Sequence, residues 1–167
     1  MDLFNEKIVK KNYDYKDAFI VSALILVAFL LFFLTIFLNL TMALPIVLIG
    51  IGYGLFQLIS ARHVEFEYSV TNGDMDVDKI IAKRKRVRVF SVEGKNLEML
   101  AKLKSDKYTG DFQSISQRVE AVSFMENDDV YFLVAPYKGN RTILFFEPNE
   151  RMLQDFRKKA PRNVFIS

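Results

Sequence analysis

Apolar and polar positions divide the chain into two regimes. Residues 18–61 are forty-four positions without a charged side chain, and within them AFIVSALILVAFLLFFLTIFL (18–38) holds sixteen Leu, Ile, Phe or Val among twenty-one. At about −0.4 kcal/mol each on an insertion scale, those residues favour a spanning helix by about 6 kcal/mol. As a helix the segment rises about 31 Å, close to a bilayer's hydrocarbon thickness. Asn39, Thr41 and Pro45 then interrupt the pattern, and a proline fits best in the first turn of a new helix. A second, weaker span is expected over 45–61 (PIVLIGIGYGLFQLISA), about 25 Å long if helical. Together the two make a transmembrane hairpin over 18–61. Gly50 and Gly54, four apart on one helical face, have the small-xxx-small spacing that lets helices approach closely, within the chain or between copies.

From His63 the period changes to two. HVEFEYSV alternates His63, Glu65, Glu67 and Ser69 against Val64, Phe66, Tyr68 and Val70, the pattern of a strand with one buried face. The Asn72-Gly73 pair in TNGD is a strong hairpin signal, because both residues tolerate positive φ. MDVDKII and RKRVRVFSV read as the next two strands, and RVEAVSFM, VYFLVAPY and RTILFFE as three more. The stretch 96–117 is open between strand, helix and loop. PNERMLQDFRKKA (148–160) reads as a helix, with proline at its start, Glu150 in the first turn and Arg157, Lys158 and Lys159 in the last. Met152, Leu153, Phe156 and Ala160 give it one apolar stripe.

Six or seven strands in antiparallel meander followed by one helix is the element order of a pleckstrin-homology-like barrel. A split β-barrel or other small β-roll is the structural alternative. More narrowly, EFEYSVTNGDMDVDKIIAKRKRVRVFSV and FFEPNERML resemble the hallmark segments of a bacterial domain-of-unknown-function family: two-span membrane proteins carrying such a domain in the cytoplasm. The resemblance implies an architecture and no established activity. The domains expected are an interfacial segment (1–17), the hairpin (18–61) and a cytoplasmic β domain (62–167).

Charge sets the orientation. Lys7, Lys10, Lys11 and Lys16 precede the first span and Arg62 follows the second, while the connection between spans has no basic residue. Basic flanks stay inside, so the expectation is a multi-pass protein of the cell membrane with both termini cytoplasmic. Leu3, Phe4 and Ile8, with lysines around them, suit a short helix lying on the membrane face or a frayed terminus. The Asn39-Leu40-Thr41 sequon lies almost in the bilayer and is discounted.

The chemistry on offer is sparse. There is no cysteine and one histidine, His63, which excludes disulfides, thiolate metal sites and cysteine nucleophiles. Glycine-rich phosphate loops, HExxH and nucleophile-elbow patterns are absent. Asp128 and Asp129 read as a polar turn between strands, and His63 as an exposed interfacial residue. No enzyme, cofactor or metal is indicated. A net charge of +3, with nineteen basic against sixteen acidic residues over 62–167, gives no footprint for nucleic acid.

One cluster stands out, the five cations between Lys83 and Arg88. A tight turn at Ile81-Ala82-Lys83 sets Ile80 opposite Arg84, Asp78 opposite Arg86 and Asp76 opposite Arg88, so Asp76, Asp78, Arg86 and Arg88 become cross-strand ion pairs of about 0.2–1 kcal/mol each. Lys83, Arg84 and Lys85, at the turn, are the candidates for anionic-lipid contact, at about 1 kcal/mol per cation near an anionic surface. Lipid-binding members of the pleckstrin-homology class carry a basic, fairly long first hairpin loop. Here that loop is the short, acidic Thr71-Asn72-Gly73-Asp74, which argues against a specific phosphoinositide pocket. The functional expectation is a membrane-anchored, non-enzymatic interaction module that docks a protein partner; the alternative is a sensor of anionic phospholipid.

Overall fold

The computed structural model describes residues 4–166, with the backbone alone at Thr41. The chain divides into two compact units, one formed by 12–63 and the other by 4–11 together with 64–166.

The first unit is helical. Helix α1 (Tyr15–Phe37) opens on a capping box: the Asp14 carboxylate accepts from the Tyr15 N–H at 2.7 Å, and Asp17 reaches back to the Asp14 N–H at 3.4 Å. Helix α2 (Leu44–Ser60) has Pro45 in its first turn, where a missing N–H costs nothing. Among the described residues α1 is the one helix long and apolar enough to cross a membrane, and α2 is a shorter apolar helix. Gly50 and Gly54 do not seat α1 against α2. A methyl group added at either would meet nothing within 4 Å.

Among the described residues the second unit has eight strands, one over 4–10 and seven within 64–146, where the pattern suggested six or seven. Strands β1 (Phe4–Lys10), β2 (Val64–Thr71), β3 (Asp74–Ile81) and β4 (Lys85–Val92) form an antiparallel sheet in that order. β1 corrects the expectation of a membrane-surface helix at the start of the chain. Phe4 pairs with Thr71 and Lys10 with Glu65, and Val9 points into the core, so the segment serves as an edge strand; Leu3 lies outside the described residues. Asn72 and Gly73, at φ 52° and 84°, make the β2–β3 turn that their identities call for.

The second sheet contains β5 (Met99–Lys102), β6 (Gln117–Ala121), β7 (Tyr131–Tyr137) and β8 (Asn140–Phe146) in the order β5-β7-β8-β6. The expected meander fails here, since β6 runs parallel to β8 instead of pairing with β7. The open stretch 96–117 resolves into β5 and a one-turn helix, α3 (Gly110–Gln113). The strands make two four-stranded sheets, not one closed ring of ladders.

Helix α4 (Glu150–Lys159) starts at Asn149, whose side chain accepts from the Met152 N–H at 2.9 Å. Its stripe of Met152, Leu153 and Phe156 is buried with Tyr68, Val77 and Phe90 of the first sheet and Leu133, Leu144 and Phe146 of the second. The other face of the second sheet is buried too: Phe132, Val134, Ile143 and Phe145 lie under Tyr108, Phe112 and Ile115. Burial on both faces explains the unbroken apolar runs in β7 and β8.

Candidate anion-binding face

The exposed face of the first sheet is organised in rows across its four strands. Register places Lys10, Glu65, Ile80 and Arg86 in one row, and Ile8, Glu67, Asp78 and Arg88 in the next. The expected pairing of β3 with β4 is off by two positions. Asp78 lies opposite Arg88 and Ile80 opposite Arg86, because the turn extends through Arg84; past an extra β4 residue beside Val77/Asp78, Asp76 lies opposite Ser91. A shift of two keeps every side chain on its face but changes its partner.

Arg88 therefore answers both acids, Asp78 at 2.5 Å and Asp76 at 2.7 Å. Those hydrogen bonds hold its pKa above the ordinary arginine value, the bond to Asp78 first. Arg86 reaches diagonally to Glu67 at 2.6 Å, and Glu67 is a buried carboxylate. The middle of the face is thus electrically closed, by one cluster of Arg88 with Asp76 and Asp78 and by a separate pair of Arg86 with Glu67.

The end of the face is not. There Ile8, Lys10, Glu65, Ile80, Lys83, Arg84 and Arg86 line an open concavity of about 600 Å³. Four cations face one carboxylate, and neither Lys10 nor Lys83 joins an ion pair among the described residues. The turn supplying Lys83 and Arg84 has Ala82 and Lys83 at φ 53° and 55°, with the Arg84 N–H donating to the Ile81 carbonyl at 3.0 Å. Neither residue type favours that region; each non-glycine residue there costs about 1–2 kcal/mol. Lys85 pairs with Ile81, lies on the opposite face and is not part of the lining. Of the three turn candidates the structure brings Lys83 and Arg84 together, adds Arg86, and leaves Lys85 out. Lys10 and Ile8 escape a reading of the sequence because their strand does. The complementary charges of Lys10 and Glu65, which face each other in the register, are the signal that could have found it. Chemically, the end row can hold an anion and offer two isoleucines to an apolar neighbour.

Other polar groups are structural. Buried Glu147 accepts from the Ser123 N–H at 2.7 Å and its hydroxyl at 2.6 Å. Lys104 pairs with Asp128, which holds that carboxyl below the ordinary range, and donates to the Glu126 carbonyl at 3.0 Å. In the helical unit, exposed His63 lies 3.0 Å from the Tyr13 hydroxyl. Among the described residues no group of three or more His, Cys, Asp or Glu gathers as a metal site.

No curated protein and no solved structure matches the chain. Residues 1–166 match a family described as "Bacterial PH-like domain". With a match over nearly its whole length, the chain belongs to the bacterial PH-like domain family DUF6106.

Proposed function

We propose that this protein is a membrane-anchored, non-enzymatic interaction module, holding a PH-like domain at the cytoplasmic face of the cell membrane where it docks a protein partner. The observation that carries the reading is the place of the helical unit in the chain. It is inserted between β1 and β2, two strands paired at seven positions and closed by the Lys11 N–H to Val64 carbonyl bond at 2.9 Å. A single crossing by α1 would put paired strands on opposite sides of a bilayer. The pairing therefore supports a return by α2, whose seventeen residues sit at the short end of spanning length. The basic residues on both flanks of the helical unit support a cytoplasmic domain. An anchor of two chain connections at one end of a sheet suits presentation of a surface.

Crosslinking in native membranes, followed by purification of the tagged full-length chain, tests the reading. A reproducible crosslinked protein partner is expected; a chain recovered alone in every preparation overturns it.

A further inference from the structure

We infer that the concavity at the end of the first sheet binds the phosphate of an anionic phospholipid drawn from the membrane that holds the chain. The inference rests on the membrane-anchored reading. Its first support is charge: with Arg86 answered by Glu67, Lys10, Lys83 and Arg84 still outnumber Glu65 in the lining, an excess that selects a net anion. Arg86 is already committed to Glu67, whereas the Lys10 and Lys83 ammonium groups join no ion pair among the described residues. Its second support is the lining itself. Exposed Ile8 and half-buried Ile80 sit among the cations, an apolar surface suited to the glycerol and first methylenes of a lipid and unnecessary for a free phosphate.

The turn gives a third support. Ala82 and Lys83 occupy left-handed backbone that Asn-Gly would adopt with less strain, so its residues are not those that stability alone would choose, and strain of this kind clusters at ligand clamps. Connectivity selects a membrane source. Lys10 precedes the first residue of α1 by five positions, at most about 18 Å of extended chain. Val64, bonded to Lys11 beside it, follows the last residue of α2 by four.

The test uses full-length protein in two steps. Membranes are first washed with alkaline carbonate; release of the chain removes the anchored reading. Retained protein is then purified in detergent, and binding of phosphatidylglycerol and phosphatidylcholine is counted by native mass spectrometry. Phosphatidylglycerol is expected to bind at least tenfold more tightly. Lys10→Gln/Lys83→Gln, two exposed positions, is expected to weaken it about thirtyfold at about 1 kcal/mol per cation. Equal binding of the two lipids, or unchanged binding by the double variant with the fold intact by circular dichroism, overturns the site while leaving the anchor standing. Displacement of the lipid by equimolar glycerol 3-phosphate reassigns the site to soluble phosphates, and displacement by equimolar polyglutamate reassigns it to an acidic protein; either overturns the lipid.

Discussion

Tyr68 joins the two sheets, and raising the pH should expose how much the fold depends on it. Its side chain is fully buried, its hydroxyl donates to the Ala121 carbonyl and accepts from the Glu147 N–H at 3.4 Å, and its ring meets Phe146 edge-on at 5.8 Å. Burial is the main cause holding its pKa well above the ordinary tyrosine value, which is about 10. The folded state therefore keeps the phenol neutral at pH values where an unfolded chain would ionise it. The resulting stability is intact below about pH 10 and is lost as pH rises towards the folded pKa, by about 1.4 kcal/mol at pH 11. Tyr68→Phe removes the donor to Ala121, at a cost of about 1–3 kcal/mol at neutral pH, and removes this alkaline loss with it. Urea unfolding of the full-length protein in mild detergent, followed by circular dichroism at pH 8, 10 and 11, measures both. The other six tyrosines are common to wild type and variant and cancel in the comparison. Equal losses in the two proteins between pH 10 and 11 would refute the reasoning.

Three further outcomes are expected. In Gly94→Ala the added methyl would lie 2.4 Å from the Gly73 carbonyl oxygen, a backbone atom that cannot swing aside, so destabilisation by about 1–3 kcal/mol is expected in the same unfolding assay; wild-type stability would refute the contact. Arg86→Ala strands the buried Glu67 carboxylate. With Arg86 itself more than half exposed, a loss of about 1–3 kcal/mol is expected, and adding Glu67→Gln should recover part of it; a double variant no more stable than the single one counts against the pair. Ala82→Asn/Lys83→Gly should stabilise the fold by about 1 kcal/mol by relieving positive φ, yet weaken phosphatidylglycerol binding through the lost lysine. Tighter lipid binding would contradict the place given to Lys83.

What could be read from the sequence was whatever depended on neighbours along the chain. The charge-free run became α1 and α2. Asn72-Gly73 became a turn because both residues tolerate its dihedrals, and Pro148, Asn149 and the terminal cations framed α4. What escaped depended on distant partners. β1 is seven residues whose partner begins 54 positions after its end, and so short a segment does not distinguish a strand from a helix by periodicity. β6 pairs parallel with β8, leaving β7 beyond it in sequence but not beside it in space, and no local pattern announces that crossover. The Ala82-Lys83 turn lacks the residues its backbone favours, so local pattern sets Asp78 opposite Arg86 where the register pairs it with Arg88. At the candidate site, Lys83 and Arg84 were visible as charge, whereas Lys10, Ile8 and Ile80 required the sheet.

The apolar unit is expected to leave β1 and return to β2 through an even number of membrane crossings, with the PH-like domain in the cytoplasm. The chain contains no cysteine, so single substitutions report cleanly on sidedness. Glu6→Cys in β1, Gln117→Cys in β6 and Met42→Cys between the helices, all exposed positions, can each be challenged with a membrane-impermeant maleimide in intact cells and in inverted vesicles. The expected result is labelling of Glu6→Cys and Gln117→Cys in inverted vesicles only, and of Met42→Cys in intact cells only. Glu6→Cys and Gln117→Cys on opposite sides, or all three on one side, would contradict it.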